Sequence, residues 1–137
     1  MDSTSKKKNS AGAYSKTQVF TASKEALLLM LYDAAIRFIR KAILATTEKN
    51  SSEKSLYIGK TMNIVTELQA TLNHQAEAQI AGQLEGLYGF VQDRLLKAAR
   101  DNEVSSLEEA LSIFTTLRNA WDEAIQSLKP KPTVEPK

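Results

Sequence analysis

Residues 27–32 of this 137-residue chain read Leu-Leu-Leu-Met-Leu-Tyr, an unbroken run of apolar and aromatic side chains. They sit in Thr21–Ile39, TASKEALLLMLYDAAIRFI, which reads as the start of a helix. At about 100° per residue, consecutive side chains point to every side of a helix, so one core-facing stripe cannot hide the whole run. The remainder needs a cover. The candidates are a partner peptide, a second copy, or the preceding segment, which carries Tyr14, Val19 and Phe20.

Around that run a helical period recurs four times. The first helix is expected from Ser23, whose hydroxyl suits an N-cap, with Glu25 against the positive end of the helix dipole. It carries two adjacent stripes: Leu27, Leu31, Ala34, Phe38, Ala42 and Ala45, then Leu28, Ala35, Ile39 and Ile43. The second should run from Ser51 or Ser52 to about Asn73, with Ile58, Met62 and Val65 on one face and Tyr57, Ile64 and Leu68 on the next. Gly59 costs roughly 1 kcal/mol of helix propensity against alanine, which suggests close approach of a neighbour. The third shows Ile80, Leu84, Leu87, Val91, Leu95 and Ala98 in line, with Tyr88 and Phe90 to either side. Its glycines at 82, 86 and 89 suggest a tightly packed or peptide-accommodating face. Ser105 with Glu108 forms a capping-box pattern for the fourth helix, which continues through Leu107, Leu111, Phe114, Leu117, Trp121 and Ile125 until Pro130 and Pro132.

Four such segments joined by short polar links pack most economically as an all-α, antiparallel up-down-up-down four-helix bundle. The expected organisation is a flexible N-terminal arm over 1–22, a bundle over 23–128 and a disordered tail over 129–137.

Charge separates tails from body. Residues 1–22 hold four lysines against Asp2, and residues 129–137 hold three against Glu135, so the remainder is net acidic although the whole chain is +2. No basic stripe is expected along a helix as a nucleic-acid face would require, and the aromatic residues Tyr32, Tyr57, Tyr88, Phe38, Phe114 and Trp121 are read as lacking interleaved arginines and lysines on the same face. Nucleic-acid binding is therefore not expected. The apolar runs fall far short of the ~20 residues of a membrane-spanning helix, the lysine-rich start is not followed by a signal-peptide core, and cysteine is absent. A reducing, cytosolic setting without membrane insertion is the expectation.

Catalytic chemistry finds few residues to work with. His74 is the single histidine, which excludes a multi-histidine zinc site or a di-iron helical site, and no phosphate-cradling glycine loop ends in lysine. The pairs Glu108–Glu109 and Asp122–Glu123 diverge on a helix and read as solvated surface. No catalytic, metal or cofactor site is expected. A histidine phosphotransfer bundle using His74 is the enzyme-like alternative, and a self-associating structural bundle, or weak homodimer, is the other.

The residues also carry a family resemblance. Ala13-Tyr14, Thr21-Ala22-Ser23, Met30-Leu31-Tyr32-Asp33 and Ala35-Ile36 resemble the N-terminal signature of the flagellar secretion chaperone family FliS. Asn63-Ile64-Val65 with Leu68, Leu84 with Leu87-Tyr88, Arg94-Leu95, and Leu117-Arg118 with Ala120-Trp121 follow in the family's order, over about residues 13–125. Lys24 replaces a usual proline, Ala34 a frequent glycine, and His74–Ala78 lacks the usual Gly-Gly. The resemblance implies a bundle that binds the disordered C-terminal segment of flagellin in the bacterial cytosol. It would prevent premature polymerisation and present its client to a component of the flagellar type III export gate. Partner-binding residues expected on this basis are Tyr14, Val19, Phe20, Met30, Tyr32, Ile64 and Leu68, with Tyr57 and Tyr88 at the rim of a groove. The arm from Tyr14 to Phe20 would act as a lid.

Overall fold

The computed structural model describes residues 24–76 and 78–128. Four helices follow one another: α1 Lys24–Thr47, α2 Ser51–Ala70, α3 Ala78–Asp101 and α4 Val104–Leu128. Among the described residues there is no strand. Helix α1 packs on α2 and α4, and α3 completes the ring against the same two neighbours. Contacts near the helix ends fix an up-down-up-down course: Lys54 at the start of α2 meets Ala98 near the end of α3, and Trp121 near the end of α4 meets Tyr32 of α1. The all-α antiparallel bundle expected from the sequence is thus the observed architecture.

The tight turns have local causes. After α1, Lys49 takes a left-handed φ of 59°, and the amides of Lys49 and Asn50 donate to the carbonyls of Thr46 and Ala45. This paired closure satisfies the last carbonyls of α1. Asn50 then caps α2, its side-chain oxygen accepting from the Glu53 amide at 3.1 Å. After α3, Asn102 adopts φ 57°, a conformation asparagine tolerates well. The turn is so short that α4 already begins at Val104. Ser105 therefore lies inside the first turn, and the capping box expected with Glu108 does not form. At the other end α2 stops at Ala70, earlier than expected, where the Thr71 hydroxyl folds back onto the Leu68 carbonyl.

Leu28, Tyr32, Ala35, Ile36, Ile39 and Ala42 of α1 meet Ile58, Val65 and Leu68 of α2, Tyr88, Val91 and Leu95 of α3, and Leu107, Ala110 and Phe114 of α4 in one core. Burying each large aliphatic side chain contributes about 1.5–3 kcal/mol. The core stripe of α1 is thus the one containing Leu28, Ala35 and Ile39. The other stripe, Leu27, Leu31, Ala34 and Phe38, is left half-buried on the α2 side.

On α3 the expected stripe is buried at Val91, Leu95 and Ala98 but shifts in the first half of the helix: Tyr88 turns inward, while Ile80 and Leu87 are 52% and 37% exposed. The close helix approach expected at Gly59, and the tight packing that is one of the two expectations for the α3 glycines, are not found. A methyl group at Gly59, Gly82, Gly86 or Gly89 would meet nothing within 4 Å, so none of them serves close helix approach. Ser23, where the first helix was expected to begin, lies outside the described residues, as do the arm and the tail.

Candidate functional site

The surplus apolar side chains of α1 open onto a groove of about 730 Å³ between the first half of α1 and the end of α2. Leu27, Leu28, Met30, Leu31 and Ala34 supply its apolar lining, and Lys24, Asp33, Arg37, Glu67 and Thr71 its polar edges. Met30 is 53% exposed. A thioether on an unbranched stem adapts its shape to a guest at little cost, which suits it to a binding surface. At the same end of the bundle a smaller recess of about 130 Å³ lies among Leu28, Leu72, Ile80, Leu84, Tyr88 and Trp121.

A second apolar strip runs along α3, where Ile80, Leu84, Leu87 and Phe90 recur at helical spacing and are exposed or half-buried. The Arg94 guanidinium lies 5.0 Å from the Phe90 ring centre and is also paired with Glu109 of α4 at 3.3 Å.

Beside the groove, Arg118 of α4 donates to Asp33 at 2.9 Å and faces Asp122 at 3.7 Å. The hydrogen bond from Arg118 to Asp33 holds the guanidinium proton more firmly than usual. Both side chains are partly exposed, so the pair positions the groove edge more than it stabilises the fold. Deeper in, the Trp121 indole N–H donates to the Tyr32 oxygen at 2.9 Å, and the Tyr32 and Tyr88 hydroxyls share a hydrogen bond. Burial raises the pKa of both tyrosines above the ordinary phenol value.

The expected partner-binding residues separate into four groups. Met30 lines the groove. Tyr32, Leu68 and Tyr88 are no more than 1% exposed and belong to the core. For Tyr88 this corrects the expected rim position, because its hydroxyl is drawn inward to Tyr32 and not left at a water boundary. Ile64 is half-buried against the core, and Tyr57 is half-buried in a stack with Phe38. Tyr14, Val19 and Phe20 lie outside the described residues. The reading missed Glu67 and Thr71, which approach α1 only through the packing of α2, a relation that no periodicity within one helix reveals.

His74 stands half-exposed on the α2–α3 link, 3.5 Å from the Glu85 carboxylate. A phosphoryl-accepting histidine needs cations there, the opposite sign. Among the described residues no cluster of three or more histidine, cysteine or acidic side chains could hold a metal ion, and no helix is long and apolar enough to cross a membrane.

Comparison with known proteins adds a consistent pattern. The family profile described as "Flagellar protein FliS" matches residues 7–128. The chain is 35% identical over 115 residues to the flagellar secretion chaperone FliS of Bacillus subtilis, covering 84% of this chain and 85% of that one. It is 28% identical over 113 residues to the protein of the same name from Escherichia coli, covering 82% and 83%. Against the Campylobacter jejuni protein of that name the identity is 29% over 111 residues, covering 81% and 87%.

Proposed function

The chain belongs to the FliS family of flagellar secretion chaperones, and on that footing we propose that it binds the disordered C-terminal segment of flagellin along the α1–α2 groove. The bound client is held in the bacterial cytosol, kept from premature polymerisation and handed to the flagellar type III export gate. The role is one of stoichiometric binding and not of catalysis.

The observation that carries the reading is the groove itself. The buried four-helix core does not include Leu27, Met30 or Ala34, and Leu31 packs only against its edge, yet these side chains line one depression. An amphipathic helix laid into it would bury its own apolar face against them. Each leucine-sized anchor of the client contributes about 1.5–3 kcal/mol, while ordering the segment costs roughly 2–5 kcal/mol, so several anchors must engage together. The strip Ile80–Leu84–Leu87–Phe90 gives a long client further anchors on α3. The proposal includes Tyr14, Val19 and Phe20 as a lid that occupies the groove before a client arrives.

Titration calorimetry of the full-length protein with a flagellin C-terminal peptide tests this. One-to-one binding with a negative heat-capacity change is expected, weakened at least tenfold by Met30→Glu with little change in melting temperature. Absence of binding by the wild-type protein overturns the client assignment. Tyr14→Ala is expected to alter client affinity or self-association, and a variant identical to wild type in both removes the lid.

A further inference from the structure

On the outward side of α1 and α2, Phe38 and Tyr57 stack across the helix pair with ring centres 5.9 Å apart and planes 25° apart. Three cations surround them. The Arg37 guanidinium and the Lys60 ammonium lie 5.7 and 5.5 Å from the Phe38 ring centre, and the Lys41 ammonium lies 5.4 Å from that of Tyr57. All three cationic residues are exposed, and among the described residues none of them is in an ion pair.

The cluster is visible only in the folded bundle, because Arg37 and Lys41 come from α1 and Lys60 from α2. Gathering like charges raises their mutual repulsion, and an anionic partner reverses that cost. The chemistry of the partner follows from what is left free. The ring faces are already engaged with each other and with the cations, so a nucleic-acid base finds no open platform. What points outward is a set of guanidinium and ammonium donors, which suit carboxylates.

The cluster is also continuous with the groove, since Arg37 lines both. Leu27 and Lys41 are fourteen positions apart on α1, which is roughly 21 Å of helix. A client helix of about four turns resting on Leu27, Met30, Leu31 and Ala34 therefore brings one of its ends to the cations.

We propose that the client segment carries acidic side chains at that end, and that Arg37, Lys41 and Lys60 pair with them and so fix the register of the client along the groove. This inference rests on the client reading above.

The test uses the full-length protein and a fluorescent flagellin C-terminal peptide, in its native form and with every Asp and Glu changed to Asn and Gln. Anisotropy titrations run at about 50 and 300 mM NaCl, a range over which screening of exposed charges changes strongly. The native peptide is expected to lose about tenfold in affinity for the wild-type protein between the two salts. Lys41→Glu combined with Lys60→Glu is expected to lose tenfold or more at low salt and to flatten the salt dependence. The milder Lys41→Gln with Lys60→Gln should fall between, with circular dichroism confirming that both variants fold. The amide-substituted peptide should bind the wild-type protein no better than the native peptide binds the charge-reversed one.

Each adverse result has a distinct meaning. Equal affinity and equal salt dependence in the wild-type and charge-reversed proteins overturn the role of the cluster while leaving the client in place. No binding of the native peptide to the wild-type protein overturns the client reading and this one with it. Preferential binding of a single-stranded RNA oligonucleotide, lost in the charge-reversed variant, reassigns the cluster to nucleic acid and overturns the acidic-client proposal.

Discussion

The phenolic oxygens of Tyr32 and Tyr88 meet 2.5 Å apart inside the bundle, joining α1 to the helix across the core from it. The Trp121 indole N–H adds a third helix to the same point. Tyr32 also sets its ring 5.7 Å from that of Phe114 of α4, tilted by 50°. One polar junction therefore sits among apolar side chains, with each of its polar groups partnered. A satisfied polar group in a core favours a particular arrangement of helices over its neighbours in packing space.

Removing the Tyr32 hydroxyl leaves both the Tyr88 hydroxyl and the Trp121 N–H without this partner, whereas removing the Tyr88 hydroxyl affects only Tyr32. Tyr32→Phe is expected to destabilise by about 1–3 kcal/mol and Tyr88→Phe by less. The double variant should cost less than the sum of the two, because the second change removes a group the first has already orphaned. Urea denaturation of the three variants checks the order.

The same pair makes the fold sensitive to alkali. Both tyrosines have pKa values raised by burial, so the folded state keeps their protons at a pH where unfolded phenols, near 10, release them. Unfolding is then coupled to proton release, and stability falls as pH rises above about 10 toward the folded-state values. Below that range the two groups contribute no pH dependence. Melting temperatures measured from pH 8 upward should decline beyond about 10, and Tyr32→Phe with Tyr88→Phe should flatten the decline.

Lys54 is 5% exposed, and its ammonium donates to the Ala98 and Ala99 carbonyls at 3.4 and 3.0 Å and to the Asn102 side chain. The cation sits where the dipole of α3 is negative, adds a second bond at the Ala98 carbonyl beside that from the Asn102 amide, and gives the Ala99 carbonyl a side-chain donor. Lys54→Met keeps the stem and removes the charge, so it is expected to cost about 1–3 kcal/mol. Hydrogen exchange should accelerate selectively in the last turn of α3.

Gly82 and Gly86 lie in α3 with open space where a side chain would stand, and neither has a positive φ. Gly86→Ala is expected to stabilise the free protein by about 0.4–1 kcal/mol, and Gly82→Ala by a similar amount. Thermal melts of the single and double variants test this. A loss of stability would mean that the glycines serve a packing need absent from the fold described above.

The number and order of helices were legible in the sequence because each stripe has a clean helical period. So was the surplus on α1: six consecutive apolar side chains cannot share one face, and the groove is lined by four of them, Leu27, Leu28, Met30 and Leu31. What could not be read was which side chains cross between helices. Tyr88 looked like a rim residue because its inward turn depends on a hydroxyl of α1, 56 positions away. The Phe38–Tyr57 stack and its cations were hidden for the same reason, each helix holding only part of the cluster. Ser105 misled because a local capping pattern was overridden by the left-handed turn at Asn102, which starts α4 earlier.

Lys54 fastens the bundle at the end where the chain reverses twice within a few residues, at Lys49 and at Asn102. The groove lies at the opposite end, beside the longer α2–α3 connection. The fastening at Lys54 and the open depression are thus separated along the length of the helices, so a substitution that loosens one end leaves the contacts of the other untouched.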